Sequence, residues 1–587
     1  MKIKHLFGLA VIAAMTASCS SNEDLGTAGP GTGNNEAGVG YATFTINLPT
    51  TSGTRADGDP TFEPGSDYEY KVNDATLLIF KKGEPTKEGE TPKEGDYTFV
   101  ESVELGSMAP WKDPSETGVT THAKITAKLE KVKKTENNFA LVLLNNGTGA
   151  NAKVAVPTKE GVKFSDWNAA ANAKNIANYT NGFYMANAPL FNNKNVTTLV
   201  PIESSKIYQT AEEAAKNPAT DIYVERGLAK VTLKTGKAAT GNTDDNYTVT
   251  GDTYQGDKVT ISNWTLDVTN IKTFPIHNVD ELGYEDIWKN EPVASGPSTQ
   301  RFVDNNKLTK AKRVYWGKDP NYDNDDLRET DEAGKTAREA DFKYVKNAEV
   351  TADPTKPLYC LENTFNLANM VQGQTTRVIF KASYTPKDFT AEDGKTFYKI
   401  GKNTAIWNEK NLVKEIKAAV ASVVTGATID NTTVNLNAEG NKITAAGTHY
   451  VKAANITVKI SETETATISD ANITAINTQL GLKETDKVGI STYAGGESYY
   501  IARIKHFGDE LTPWSSGGYG SDNLSFLGRY GVLRNNWYEL TVQSVSGPGY
   551  PSVPDVKPST PDDEDDNYIS VSVKILSWAK RSQSVDL

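Results

Sequence analysis

The chain has 587 residues, too many for one ordinary hydrophobic core, so two β-rich domains plus tails are expected. Its formal net charge of -12 argues against a nucleic-acid footprint and against a basic membrane-surface patch. Thr, Asn, Gly and Tyr are abundant, and the composition reads as acidic and soluble.

Lys2 and Lys4, the apolar run Leu6 to Met15 and then Thr16-Ala17-Ser18-Cys19 have the layout of a secretory signal over residues 1–18. The apolar run is too short to cross a bilayer, which takes about 20 such residues, and no later stretch approaches that length. Cys19 stands where a bacterial lipoprotein signal places its acylated cysteine, although Thr16 occupies a position where Leu is usual. The bland alternative is ordinary signal cleavage nearby. With Cys19 acylated, Cys360 has no disulfide partner and is expected as a buried structural thiol.

Ser20 to Gly40 reads as a flexible tether. Tyr41 to Leu48 then alternates, placing Ala42, Phe44, Ile46 and Leu48 on one face of a strand. Pro49 to Pro60 is a polar loop punctuated by Gly and Pro, and it holds Arg55, the first arginine of the chain. Further strands are expected at Ala75 to Phe80, Asn138 to Leu144, Ile222 to Leu233, Val259 to Val268, Thr376 to Tyr384, Tyr450 to Ile460 and Tyr499 to Ile504. Polar turns between them give a β-sandwich spacing. Two packing helices are expected, one from Asp166 to Ala177 with Ser165 as N-cap. The other runs from Ala405 to Val424, with Leu412, Ile416, Ala419, Val420 and Val423 on its apolar stripe and Gly426 just past its end. Gly83 to Gly95 is a low-complexity loop, and residues 426–490 read as loop and strand elaboration of the second domain.

Near the C-terminus, Pro551 to Asn567 is a spacer rich in Pro and acids. Its run Asp562 to Asp566 lacks the Gly and spaced Glu of a calcium loop and reads as solvated linker. Beyond it, Tyr568 to Leu576 alternates again, with Ile569, Val571, Val573 and Ile575 on one face, before Trp578 and a charged tail to Leu587.

Catalytic signatures are thin. His5, His122, His277, His449 and His506 are scattered and form no metal-binding spacing. Gly517-Gly518-Tyr519-Gly520 lacks the strand-to-helix setting of a phosphate-binding loop, and carboxylate pairs in so acidic a chain are unspecific. No enzyme activity, metal or cofactor is expected.

Five segments carry a resemblance: the first alternating strand, the Arg55-Ala56 loop, Asp221-Ile222-Tyr223-Val224-Glu225-Arg226-Gly227-Leu228-Ala229-Lys230-Val231, Leu361-Glu362-Asn363-Thr364, and Val532-Leu533-Arg534-Asn535-Asn536-Trp537-Tyr538-Glu539-Leu540-Thr541-Val542. Together with the signal and the tail, they resemble the Bacteroidales major fimbrial subunits, the fimbrillins that form the shaft of type V pili. The resemblance implies two transthyretin-like β-sandwiches, 56–235 and 236–550, after a propeptide 19–55, with a spacer 551–567 and a donor strand 568–587. It further implies a precursor held in the outer membrane through lipid on Cys19 and clipped between Arg55 and Ala56 by an arginine-specific surface protease. Its first strand is then removable, and Ile569 to Ile575 inserts into another copy by strand addition. The expected partners are other copies in a head-to-tail fimbrial filament and the minor tip and anchor subunits, with adhesion as the outcome. The competing readings are a surface lipoprotein that binds a glycan without polymerising, and a tip or anchor subunit of the same fimbria. The 9 Trp and 26 Tyr do not separate them, because sandwich cores use the same residues.

Overall fold

The computed structural model describes residues 33–35, 37–49, 66–84, 91–106, 119–170, 174–192, 195–234, 246–279, 302, 312–314, 316–507, 512, 524–563 and 569–576. It is mostly β. The first sandwich uses β1 (Gly40–Pro49), β2 (Ala75–Lys81), β3 (Thr98–Gly106), β4 (Val119–Leu129), β5 (Asn138–Leu144), β6 (Met185–Asn187), β7 (Val200–Ile202) and β8 (Thr220–Arg226). Their order is β3-β2-β5-β6-β8-β1-β4, with β7 also on β5. β8 serves two partners: Thr220 to Tyr223 pair in parallel with Phe44 to Asn47 of β1, and Val224 to Arg226 pair antiparallel with β6. One strand changing partner midway turns the sheet back on itself and encloses a core that includes Phe44, Leu78, Phe80, Leu141 and Ile222.

The alternation of residues 222–233 continues through the domain crossing, but the single strand expected there is two. β9 (Leu228–Leu233) belongs to a different sheet, and Gly227 is the joint. A Cβ on Gly227 would sit 2.8 Å from Ile176 Cγ2 and 3.1 Å from Tyr184 Cδ1, so only glycine lets the chain pass so close to the first core.

The second sandwich adds β10 (Asn246–Thr248), β11 (Lys258–Asp267), β12 (Leu358–Leu361), β13 (Arg377–Thr385), β14 (Glu497–Arg503), β15 (Trp537–Val545) and β16 (Ile569–Leu576). Sheet β12-β9-β15-β16 faces sheet β10-β11-β13-β14 across a core of Val231, Trp264, Phe380, Tyr500, Tyr538 and Leu540. Cys360 lies buried in this core as a free thiol, and burial pushes its pKa up to about 12.

Between β13 and β14 the chain leaves the sheet and builds a closed module. Its helix Glu409–Val423 is capped by Asn408, whose side chain accepts from Asn411 N, and it buries Leu412, Ile416, Ala419 and Val420 as the stripe requires. A second helix, Asp470–Gln479, and short strands complete a separate core with Leu436, Ile443, Val451, Ile456, Val458 and Ile490. Residues 426–490 are therefore part of a packed unit with a helix and core of its own, more than the loop and strand elaboration expected. The strand expected over 450–460 is broken into Gly447–His449 and Ile456–Val458. The buried Asn455 amide donates to the carbonyls of Asn435 and Asn441 and so fixes a turn between them. The helix expected from Asp166 starts earlier, at Phe164–Ala170, because Phe164 and Trp167 anchor it in the first core, and Lys174–Ala177 is one 3-10 turn.

Candidate assembly site

β1 is an interior strand. It pairs antiparallel with β4 along its length, from Gly40 with Leu129 to Pro49 with Val119, and in parallel with β8 on its other edge. The alternation read from the sequence is realised: Ala42 and Phe44 are 0% exposed, Ile46 3% and Leu48 4%. Thr43 on the opposite face is covered too, its hydroxyl 2.7 Å from that of Thr126. Withdrawing β1 would strip both neighbouring strands of a hydrogen-bonding partner and expose a slot floored by the first core.

Three of the resembling segments, far apart in sequence, meet in a buried polar knot where the two sandwiches join. Arg226 donates from its backbone N and from Nη1 to Asn535 Oδ1, 3.2 Å each, and from Nε to the carbonyl of Glu69 at 2.8 Å. Asn535 takes the left-handed conformation (φ 58°), and its N–H donates to Leu228 O at 2.7 Å. Arg534 contacts Glu362 at 3.3 Å and donates to Thr273 Oγ1 and to the carbonyl of Phe274. His277 Nδ1 lies 2.9 Å from Glu225 and its Nε2 3.5 Å from Glu362. Glu69, in the helical turn Asp67–Tyr70, is fully buried; it pairs with Lys230 at 2.7 Å and accepts the Tyr359 hydroxyl. The motif is thus a structural joint in which each cation has a carboxylate or carbonyl partner, as buried charge demands.

At the far end, β16 lies on β15 in antiparallel register, Leu576 opposite Trp537 and Ile569 opposite Val545. Residues 491–584, which span β14, β15 and β16, match the family described as major fimbrial subunit protein type IV, fimbrillin, C-terminal. The C-terminal part of the chain is thus similar to the fimbrillins. No curated protein matches it. Among solved structures, a candidate cell adhesion protein from Parabacteroides distasonis is similar at 10% identity and TM-score 0.35, covering 92% of this chain and 98% of that one. One from Bacteroides eggerthii is similar at 12% identity and TM-score 0.30, covering 94% and 97%. The tip fimbrial protein Mfa3 from Porphyromonas gingivalis, with C-terminal truncation, is similar at 12% identity and TM-score 0.22, covering 92% and 100%.

Cys19, Arg55 and Ala56 lie outside the described residues, as do the signal and the glycine cluster at 517–520. The strand carrying Ile569, Val571, Val573 and Ile575 is described, while its side chains are not. Among the described residues no group of three His, Cys, Asp or Glu could hold a metal, and no helix is long and apolar enough to cross a membrane.

The spacer departs from the solvated linker expected. Asp562 is buried and Asp563 half-buried: Asp562 lies 3.1 Å from Arg503 Nε and accepts the Thr375 hydroxyl at 2.5 Å. Asp563 takes two bonds from Arg529, 2.9 and 2.7 Å, and one from the Tyr530 hydroxyl at 2.9 Å. Paired, bidentate geometry makes these acids anchors. Local composition gave no sign of them, because their partners lie more than thirty residues away; an isolated Arg in each of two apolar stretches, Ile501 to Ile504 and Phe526 to Leu533, was the available signal.

Proposed function

We propose that this protein is a fimbrillin, a shaft subunit of a surface fimbrium. It is exported as a lipoprotein precursor through Cys19, clipped between Arg55 and Ala56, and polymerised by insertion of one copy's C-terminal strand into another's first sandwich. The observation that carries this reading is the setting of β1: fully paired and buried, yet joined to the rest of the first sandwich through the segment that holds Arg55. Once that link is cut, β1 is held by noncovalent contacts alone. Burial of Phe44, Ile46 and Leu48 stabilises it by about 1.5–3 kcal/mol per side chain, and a strand with Ile569, Val571, Val573 and Ile575 offers similar apolar area to the same slot. Main-chain bonds to β4 and β8 would be re-formed by the newcomer. The joint is head-to-tail and so extends a filament, with tip and anchor subunits at its ends and adhesion as the service rendered.

The test follows mass and assembly size together while a precursor lacking residues 1–19 meets a trypsin-like arginine protease. A cut at Arg55 followed by detergent-stable ladders supports the reading; a clean cut with a persistent monomer overturns it. The seat of β16 on β15 favours a second reading, in which the tail completes its own domain and the protein serves as an anchor, a tip or a non-polymerising glycan binder. Removing residues 568–587 separates the two: a folded monomer unable to polymerise fits the shaft, and an unfolded product fits the second reading.

A further inference from the structure

Residues 550–563 bind the flank of the second sandwich as a strap. Tyr550 exchanges both backbone bonds with Tyr499, 2.7 and 2.8 Å, and Val553 N donates to Asn347 Oδ1 at 2.7 Å. Arg377, itself paired with buried Asp267 at 2.8 Å, donates to Pro554 O at 2.7 Å. Gln372 N donates to Thr560 O at 2.9 Å, Pro558 sits against Gly373 where a Cβ would come within 2.7 Å of it, and the Arg503 and Arg529 clasp closes the end. Contacts so closely spaced make the strap part of the domain.

We propose that the strap stays docked during assembly, so that the donor strand hangs from residues 564–568 alone and the neighbouring copy seats its slot directly against the clasp end of the second sandwich. The inference rests on the strand-exchange reading above. From Asp563 to Ile569 the chain takes six Cα steps, a span of about 20 Å at most, whereas release from Tyr550 would give nineteen steps and about 65 Å. A leash of about 20 Å caps the gap between the two bodies at that distance, less than the length of the ten-residue slot it serves. The occupant of the clasp end is thus a second copy of this chain, and the filament has a fixed axial repeat.

A disulfide across Val371 and Pro561 tests this. The two residues are bridge partners, and the bond from Gln372 N to Thr560 O marks them as a non-hydrogen-bonded pair, whose Cα separation of about 4.5 Å suits a disulfide. In a precursor lacking residues 1–19, Val371→Cys/Pro561→Cys is oxidised, the bond is confirmed by mass, and the protein is treated with the arginine protease. Expected is a ladder indistinguishable from that of the reduced sample, at rates within about twofold. An oxidised sample that is cut cleanly yet stays monomeric while the reduced one polymerises overturns the inference and leaves strand exchange standing. Failure of the unmodified protein to polymerise sinks strand exchange and the inference with it. Should the cysteine pair fail to fold, Asp562→Asn/Asp563→Asn supplies the second measurement. Its filaments are expected to lose the regular axial repeat seen by electron microscopy in the unmodified protein, and an unchanged repeat overturns the inference.

Discussion

Phe44→Ala separates a strand that leaves from one that stays. Phe44 is fully buried at the centre of β1, with Ile125 opposite it on β4 and Thr220 on β8. Truncation to Ala removes a large core side chain and costs about 3–5 kcal/mol. In a first sandwich of this size, each kcal/mol lowers the midpoint by about 2–4 °C, so the uncut precursor should melt about 6–20 °C lower in its first transition. After cleavage and exchange the position is no longer in the filament, and the deficit should vanish: assembled Phe44→Ala and unmodified protein should melt together. If departure of β1 limits exchange, the same deficit quickens assembly, with an upper bound of about 10²–10⁴-fold. Calorimetry of precursor and filament, with light scattering for the rate, reads both. A variant filament that keeps the full deficit shows that β1 never left, and would falsify the exchange mechanism.

Gly227→Ala drives a methyl against Ile176 and Tyr184 and is expected to destabilise the precursor by about 1–3 kcal/mol in urea titration. Glu69→Gln leaves Lys230 charged and buried without its carboxylate, at a cost of about 3–5 kcal/mol, and Glu69→Gln/Lys230→Met should recover most of it in the same titration. Burial raises the Asp319 carboxyl to about 7, against hydrogen bonds from Thr364, Asn321 and Asn270 that act the other way. The folded state then holds this proton where the unfolded chain has lost it, so its contribution is full below about pH 4 and fades as pH rises towards 7. Asp319→Asn should flatten that fall, measured as urea midpoints from pH 4 to 8, whatever its baseline stability. The Cys360 thiol, raised to about 12 by burial, should resist a disulfide reagent in folded protein lacking residues 1–19 and react at once in denaturant.

Much of the frame was legible because it obeys local rules. Strand β5 falls on the residues expected, Asn138 to Leu144, and β1 shows its period of two because one face meets a core. Helix Glu409–Val423 announced itself by its stripe and the glycine beyond it. What escaped depends on distant partners. The alternation of residues 222–233 carries no mark of Gly227 passing beside Tyr184, because that contact exists only once β6 is in place. The core of the inserted module draws Leu436, Ile443 and Val451 from connecting segments and Ile456 and Val458 from a strand three residues long, too short to display a period. Glu69, Asp562 and Asp563 look like ordinary acids until Lys230, Arg503 and Arg529 are brought to them.

The inserted module enters and leaves through β13 and β14, which are hydrogen-bonded neighbours, Ser383 opposite Glu497, with Phe397 stacked on Tyr493 at the neck. Its two ends are therefore side by side, and its core is its own. Such an insert can be traded for one of another sequence, or shortened to a turn, without disturbing β1 or the polar knot; at the strap its loss removes the exposed Lys487–Asp555 pair. The fold thus keeps the first core and the polar knot apart from a region whose sequence they do not constrain.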